Sequence, residues 1–193
     1  QVMAMKLTAK GDDKMNVNIS FPVDDAEGVA DRNLGKDAEV LAKDNQLTVS
    51  GQMQDNQMLF NGQLVVADTK GGTVEPGEDK ESLDVKGAEE IVIYVAADTN
   101  YDDVYPDYRT DDTEETLDAR VKGYVDNAVE KGYDNVKETH EADYKEIFDR
   151  VSLDLGQGTN IPDQPTDELL SDYKTDAAKA EDARALETLL FQY

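Results

Sequence analysis

Six aspartates crowd one short stretch of this chain: Asp98, Asp102, Asp103, Asp107, Asp111 and Asp112. Carboxylate oxygens are the donors that a hard cation such as calcium prefers, so the stretch is a candidate calcium loop. Its spacing departs from an EF-hand, which alternates acids around a central glycine and closes on a distal glutamate; the competing reading is a solvated acidic loop. The one histidine, His140, precedes Glu141 as in a zinc-protease helix, but Tyr144 stands where the second histidine ligand belongs. His140 shares a helical stripe with Tyr144 and Ile147, which points to a packed, hydrogen-bonded ring and not a reactive one. There is no nucleophile elbow and no glycine-rich phosphate loop; Gly71-Gly72 reads as a turn. Two carboxyl groups several ångströms apart can cleave an acetal by acid–base catalysis. With 44 acids such pairs arise by chance, so spacing selects none of them. On motifs alone the catalytic, cofactor-binding and metal-binding assignments are all none.

The formal net charge is −25, from 44 Asp and Glu against 19 Lys and Arg. That field repels nucleic-acid phosphates and anionic membranes, so neither is an expected partner. The acids are spread along the chain, as on a solvated acidic surface. Cysteine is absent, which removes disulfides, thiolate catalysis and cysteine-based zinc sites together. Tryptophan is absent too and aromatics make up 7%, so the core must rest on Val, Leu, Ile, Met and Ala. At 193 residues that core can be substantial. No apolar run approaches the roughly 18 residues of a membrane span. The first residues, Gln1-Val2-Met3, already lie inside an apolar pattern, which reads as a piece cut from a longer chain.

The elements that must position these residues are strands first and helices after. Met3, Met5, Leu7 and Ala9 alternate with other residues, and Met15, Val17, Ile19 and Phe21 alternate with Lys14, Asn16, Asn18 and Ser20. Gly11-Asp12-Asp13 between them reads as a hairpin turn, which makes these two strands antiparallel neighbours. Val40–Ala42 and Leu47–Gly51 flank a second turn at Asp44-Asn45, and the run Met58, Phe60, Gly62, Leu64, Val66 keeps period two for a long strand. Thr69 to Asp79 reads as a loop. Ile91-Val92-Ile93-Tyr94-Val95 is apolar at every position, the mark of a central strand covered on both faces. Residues 1–97 are therefore β, with the many short strands of an antiparallel sandwich.

From Asp98 the character changes: Asp98 to Asp112 reads as an Asp- and Tyr-rich loop containing Pro106, and helices follow it. Asp112 with Glu115 has capping-box spacing, Leu117, Val121, Tyr124, Val125 and Ala128 make one face, and Lys131-Gly132 is a stop. A second helix carries Val136, His140, Tyr144, Ile147 and Phe148 on one stripe. Val151, Leu153 and Leu155 then read as a short strand, and 156–165 as loop. Leu186, Leu189, Leu190 and Tyr193 form a last helical face that no cap closes and that needs a partner. The chain thus reads as truncated at both ends.

The run from His140 to Gly156, followed by Pro165-Thr166-Asp167-Glu168 and ending on Leu189-Leu190-Phe191-Gln192-Tyr193, resembles the approach to the catalytic barrel in glycoside hydrolase family 95, the α-L-fucosidase family. Gln1–Thr8, Gly51–Val66, Ala96–Tyr101 and Tyr108–Tyr133 are similar to earlier segments of the same family. The resemblance implies an antiparallel β-sandwich, part of a super-sandwich, over residues 1–112. A helical linker over 113–193 would lead to an (α/α)6 barrel that is not in this chain. It implies an inverting parent enzyme, secreted, bacterial and at the cell surface or outside the cell, that removes terminal α-L-fucose or a related L-sugar such as L-galactose. The family's general acid and water-activating residues lie on the barrel, so no catalytic residue carries over to this sequence and the chain alone is expected to be inactive. The implied partners are that barrel and, through it, a fucosylated oligosaccharide, with the 98–112 loop able to approach the sugar. Two readings of another class stand beside this: a stand-alone carbohydrate-binding or adhesion module, which needs exposed aromatics, and a calcium-stabilised acidic extracellular domain.

Overall fold

A computed structural model describes residues 1–21, 35–152, 165–175, 186, 187 and 190. The apolar run at 91–95 lies in β8 (Glu90–Thr99), between β1 (Met3–Thr8) and β5 (Leu59–Lys70). Beyond β5 follow β4 (Gln46–Met53) and the edge strand β3 (Lys36–Lys43), giving a five-stranded antiparallel sheet in the order β1-β8-β5-β4-β3. The second sheet has the order β2 (Met15–Ser20), β7 (Ser82–Ala88), β6 (Thr73–Pro76). The antiparallel sandwich expected from the sequence is the observed architecture.

Period two sorts the side chains of β8 between two cores. Ile91 and Ile93 pack between the sheets with Leu47, Leu64, Val66, Leu83 and Val85, against the Met15, Val17 and Ile19 face of β2. Val92, Tyr94 and Ala96 point to the opposite side, where Leu117, Val121, Val125 and Ala128 of α1 (Glu114–Lys131) cover them. Each such Leu or Ile contributes about 1.5–3 kcal/mol by leaving water. β8 is thus covered on both faces, as its unbroken apolar run predicts.

Two sequence expectations about strands are corrected. The segments on either side of Gly11 do not pair with each other: β1 pairs with β8 from Met3↔Val95 to Thr8↔Glu90, and β2 pairs with β7 in the other sheet. The chain crosses between sheets at 9–14 just where β7 crosses to β8. Ala9 N–H donates to Glu89 O at 2.9 Å and Lys14 pairs with the Glu89 carboxylate, so the two crossings are tied together. Lys14 and then Lys70 hold that carboxyl below the usual glutamate range. Second, Thr69–Asp79 is not all loop, because β5 runs on to Lys70 and Thr73–Pro76 pairs with β7 as β6.

The other turns follow local chemistry. Asp44 takes φ 53° between β3 and β4, a left-handed value that aspartate tolerates better than most residues. Gly51 has no side chain for a reason of space: a Cβ there would lie 1.9 Å from the Asp37 carbonyl oxygen. Helix α1 ends at Gly132, φ 76°, as its Lys-Gly stop predicts. Its start is one residue later than expected. Thr113 is the N-cap, and Thr113 and Thr116 exchange backbone-to-hydroxyl hydrogen bonds, Thr113 N to Thr116 Oγ1 at 2.8 Å and Thr116 N to Thr113 Oγ1 at 3.3 Å.

The chain divides into two compact units, 1–140 and 141–193. Helix α2 (Tyr133–Phe148) begins with Tyr133 and Val136 against the α1-covered core, yet none of its residues is buried. His140 is exposed, which corrects the expectation of a packed ring. The stripe continues exposed through Tyr144, Ile147 and Phe148, with the Tyr144 and Phe148 rings stacked at 4.9 Å between centroids. Val151 and Ser152 are not strand; Leu153 and Leu155 lie outside the described residues. Pro165 begins α3 (Thr166–Lys174), a helix the sequence reading passed over, with Leu169 buried. Of the last apolar face, Leu186 is buried and Leu190 exposed, so the face is not bare throughout; Leu189 and Tyr193 lie outside the described residues.

Candidate functional site

The acidic stretch begins at the end of β8 and ends at the cap of α1, so sheet and helix fix its two ends. Asn100, buried, joins it to β5: Leu59 N–H donates to Asn100 Oδ1 at 2.9 Å and Asn100 N–H to Leu59 O at 3.2 Å. Thr110 N–H donates to Asn100 O at 2.9 Å, Tyr101 and Arg109 form an antiparallel bridge, and Asp102 N–H donates to Tyr108 O at 3.2 Å. The excursion from 100 to 110 is therefore a closed, internally bonded loop.

One guanidinium pins both ends. Arg120, on the first half of α1, donates through Nε to Asp98 Oδ2 at 2.9 Å, through Nη1 to Asp112 Oδ2, and through Nη2 to Thr99 O at 3.0 Å. The Thr110 hydroxyl also donates to Asp112 Oδ2, and the Thr116 hydroxyl lies 3.2 Å from Asp112 Oδ1. The Thr110 hydroxyl and then Arg120 hold the Asp112 carboxyl below the usual aspartate range. Asp112, followed by Asp98, pushes the Arg120 guanidinium further above its already high value. A carboxylate so supplied with donors stays ionised at neutral pH and has no proton to give. The cluster ties the end of β8 to the start of α1.

Asp98 and Asp112 are thus brought together, by Arg120, whereas Asp102, Asp103, Asp107 and Asp111 do not converge with them. Among the described residues no three acids or histidines stand close enough to hold a metal ion. Sequence reasoning missed Arg120. The signal was available in Asp112, Thr116 and Arg120, spaced by four along one helical face.

A second polar cluster was also missed. Asn61 and Gln63 of β5 face α1 and are 4% and 1% exposed. Gln63 Nε2 lies 2.9 Å from Asp118 Oδ1, Asn61 Nδ2 lies 3.1 Å from the same oxygen, and Gln46 Nε2 donates to Gln63 Oε1 at 2.8 Å. These bonds satisfy two buried amides and lock the register of α1 on the sheet. Two amides at alternate positions, on a strand face that otherwise carries Leu59, Val65 and Ala67, were the sequence signal.

What the pinned loop displays is aromatic. Tyr105 is 81% exposed, Val104 60%, Tyr101 51% and Tyr108 41%. The Tyr105 and Tyr108 rings meet edge to face with centroids 6.3 Å apart, and the Tyr101 hydroxyl lies 3.4 Å from Asp103 Oδ1. Elsewhere in the same unit, an open groove of about 550 Å³ beside the β3–β4 pair is lined by Lys36, Asp37, Glu39, Gln52 and Glu114, charges of both signs and no aromatic ring.

Comparison with known proteins divides the chain in the same order as its folding pattern. Residues 1–104, more than half of the chain, match the family model described as glycosyl hydrolase family 65, N-terminal domain. Residues 132–193 match the model described as glycosyl hydrolase family 95 catalytic domain. A curated relative, the probable alpha-fucosidase A of Aspergillus niger, is 31% identical over 110 residues, which is 56% of this chain and 13% of the relative. The chain therefore spans about an eighth of that protein's length. That relative is fungal, whereas the resemblance in the sequence implied a bacterial source. These matches bear out the resemblance to family 95.

Proposed function

Because the chain belongs to the family of glycosyl hydrolase family 65 N-terminal domains and runs on into family 95 catalytic-domain sequence, we propose that it is the sandwich and helical linker of a glycoside hydrolase. Residues 1–112 are the sandwich in this reading and 113–193 the linker. The observation that carries the reading is the order of the two family matches along one chain, a β-sandwich domain first and catalytic-domain sequence after it.

The substrate class in this reading is terminal α-L-fucosides or closely related L-sugars, hydrolysed with inversion by the whole enzyme, as the family resemblance implies; the relative's name, probable alpha-fucosidase A, supports the fucoside part of it. The chain itself contributes no catalytic group. Its two best-placed carboxylates, Asp98 and Asp112, are both paired with Arg120 and serve to fix a loop. An extracellular or cell-surface site is part of the same proposal, and no helix among the described residues is long and apolar enough to cross a membrane.

The test compares this chain with a longer polypeptide that continues it through a whole family 95 catalytic domain. The longer polypeptide is expected to release L-fucose of inverted anomeric configuration from 2′-fucosyllactose, followed by proton NMR, while the 193-residue chain releases none. Turnover by the 193-residue chain alone would overturn the non-catalytic assignment. A longer polypeptide that hydrolyses no L-sugar glycoside would overturn the substrate class.

A further inference from the structure

We propose that Tyr105 and Tyr108, presented by the Arg120-pinned loop, form a stacking platform that binds a neutral saccharide directly. The platform is argued from geometry; only the choice of saccharide as its ligand rests on the glycoside hydrolase reading.

Three observations carry it. The first is exposure without slack. A tyrosine that is 81% exposed leaves apolar area in water, and it does so here on a backbone closed by the Tyr101–Arg109 bridge and the Asp102–Tyr108 hydrogen bond. Arg109 ties the same loop to the β4–β5 turn, donating through Nη2 to Asn56 O at 3.3 Å. A preformed aromatic surface loses little entropy when a ligand meets it.

The second is backbone cost. Tyr108 takes φ 52°, the left-handed region that glycine and asparagine enter cheaply and a bulky residue does not. Strain at a residue that is 41% exposed, its ring set edge-on to Tyr105, is the pattern of a displayed side chain, because core packing does not require it.

The third is charge. Asp102, Asp103 and Asp107 interrupt the tyrosines, and the one basic residue between Asp98 and Asp112, Arg109, is turned to the Tyr108 and Asn56 carbonyl oxygens, which leaves the acids in excess. Such a surface repels phosphates and carboxylates. It suits a neutral polyhydroxylated ligand, whose hydroxyls donate to carboxylate oxygens while its C–H face lies on a ring. Tyr101, its hydroxyl near Asp103, offers one such polar edge beside the rings.

The probe is 2′-fucosyllactose and the protein is the 193-residue chain as it stands. With no tryptophan present, tyrosine emission reports binding directly. Saturable binding in the millimolar range is expected. Tyr105→Ala should weaken it about tenfold and Tyr105→Phe by no more than about threefold, since stacking needs the ring and not the hydroxyl. Tyr108→Gly should weaken it likewise while leaving the melting temperature unchanged or raised, because glycine accepts φ 52° without strain. In the unsubstituted chain, 2′-fucosyllactose should slow nitration of Tyr105 and Tyr108 by tetranitromethane, mapped by mass spectrometry, and leave Tyr144 unprotected.

Unchanged affinity in Tyr105→Ala, or no ligand protection of either tyrosine, overturns the platform. So does full protection of both rings in the longer polypeptide without sugar, which would make the patch an interface with the rest of that chain. A longer polypeptide that binds at Tyr105 but cleaves no fucoside sinks the fucosidase reading and leaves the platform standing, so the two failures separate.

Discussion

Single side chains show where this chain spends stability and where it gains it. The Tyr94 hydroxyl is buried under α1 and finds no hydrogen-bond partner among the described residues, and burial, then Asp134, raises its pKa. Tyr94→Phe is therefore expected to leave stability unchanged or raise it by up to about 1 kcal/mol in chemical denaturation, since a desolvated hydroxyl is removed and the ring kept. Asp112 is the opposite case. Its folded pKa lies below the ordinary 3.8, so its contribution is complete above that value and is lost as pH falls through the folded value. The difference in melting temperature between the natural chain and Asp112→Asn should be constant at neutral pH and shrink below about pH 4. Asp112 also shows the reach of sequence reading. Its spacing to Glu115 suggested a cap, but Thr113 and Thr116 form the reciprocal pair and Asp112 turns to Arg120 instead. A choice between a local partner and one eight residues away is decided by three-dimensional packing, which spacing alone does not encode.

At the scale of elements, the legible parts were those whose pattern is local. The alternation in β2, the turn at Asp44, the doubly apolar β8 and the Gly132 stop all follow from residues next to one another. The pairing of β1 with β8 does not, because it joins residues some ninety positions apart, and the turn chemistry at Gly11 is the same whether the chain folds back in one sheet or crosses to another. The stripe on α2 was legible as a stripe; what covers it was not, and His140 is exposed in consequence. The cap of α1 gives the element its own prediction. Thr113→Ala removes the hydroxyl that accepts Thr116 N–H and should cost about 1 kcal/mol, with loss of helical circular dichroism confined to the denaturant range near the transition. A cost near zero would mean that the Arg120 cluster, and not the cap, holds the start of α1.

For the whole molecule, charge outweighs any single pair. With −25 net and ion pairs such as Lys122–Asp126 at the surface, self-repulsion works against the compact state. Raising sodium chloride from about 20 to about 200 mM shortens the Debye length to under about 10 Å and should raise the melting temperature by a few degrees. Calcium chloride at matched ionic strength should do no more, because Asp98 and Asp112 already hold a guanidinium; a distinctly larger rise would favour the calcium-stabilised domain. Strand β8 adds a constraint of a different kind. It is one wall of the sandwich core and, through its other face, the floor beneath α1. Neither layer can let go of it alone, so cooperativity is built into a single ten-residue strand. Calorimetric and van't Hoff enthalpies for the 1–140 unit should agree, and the amides of Ile91 to Ala96 should exchange with solvent only when the entire unit opens.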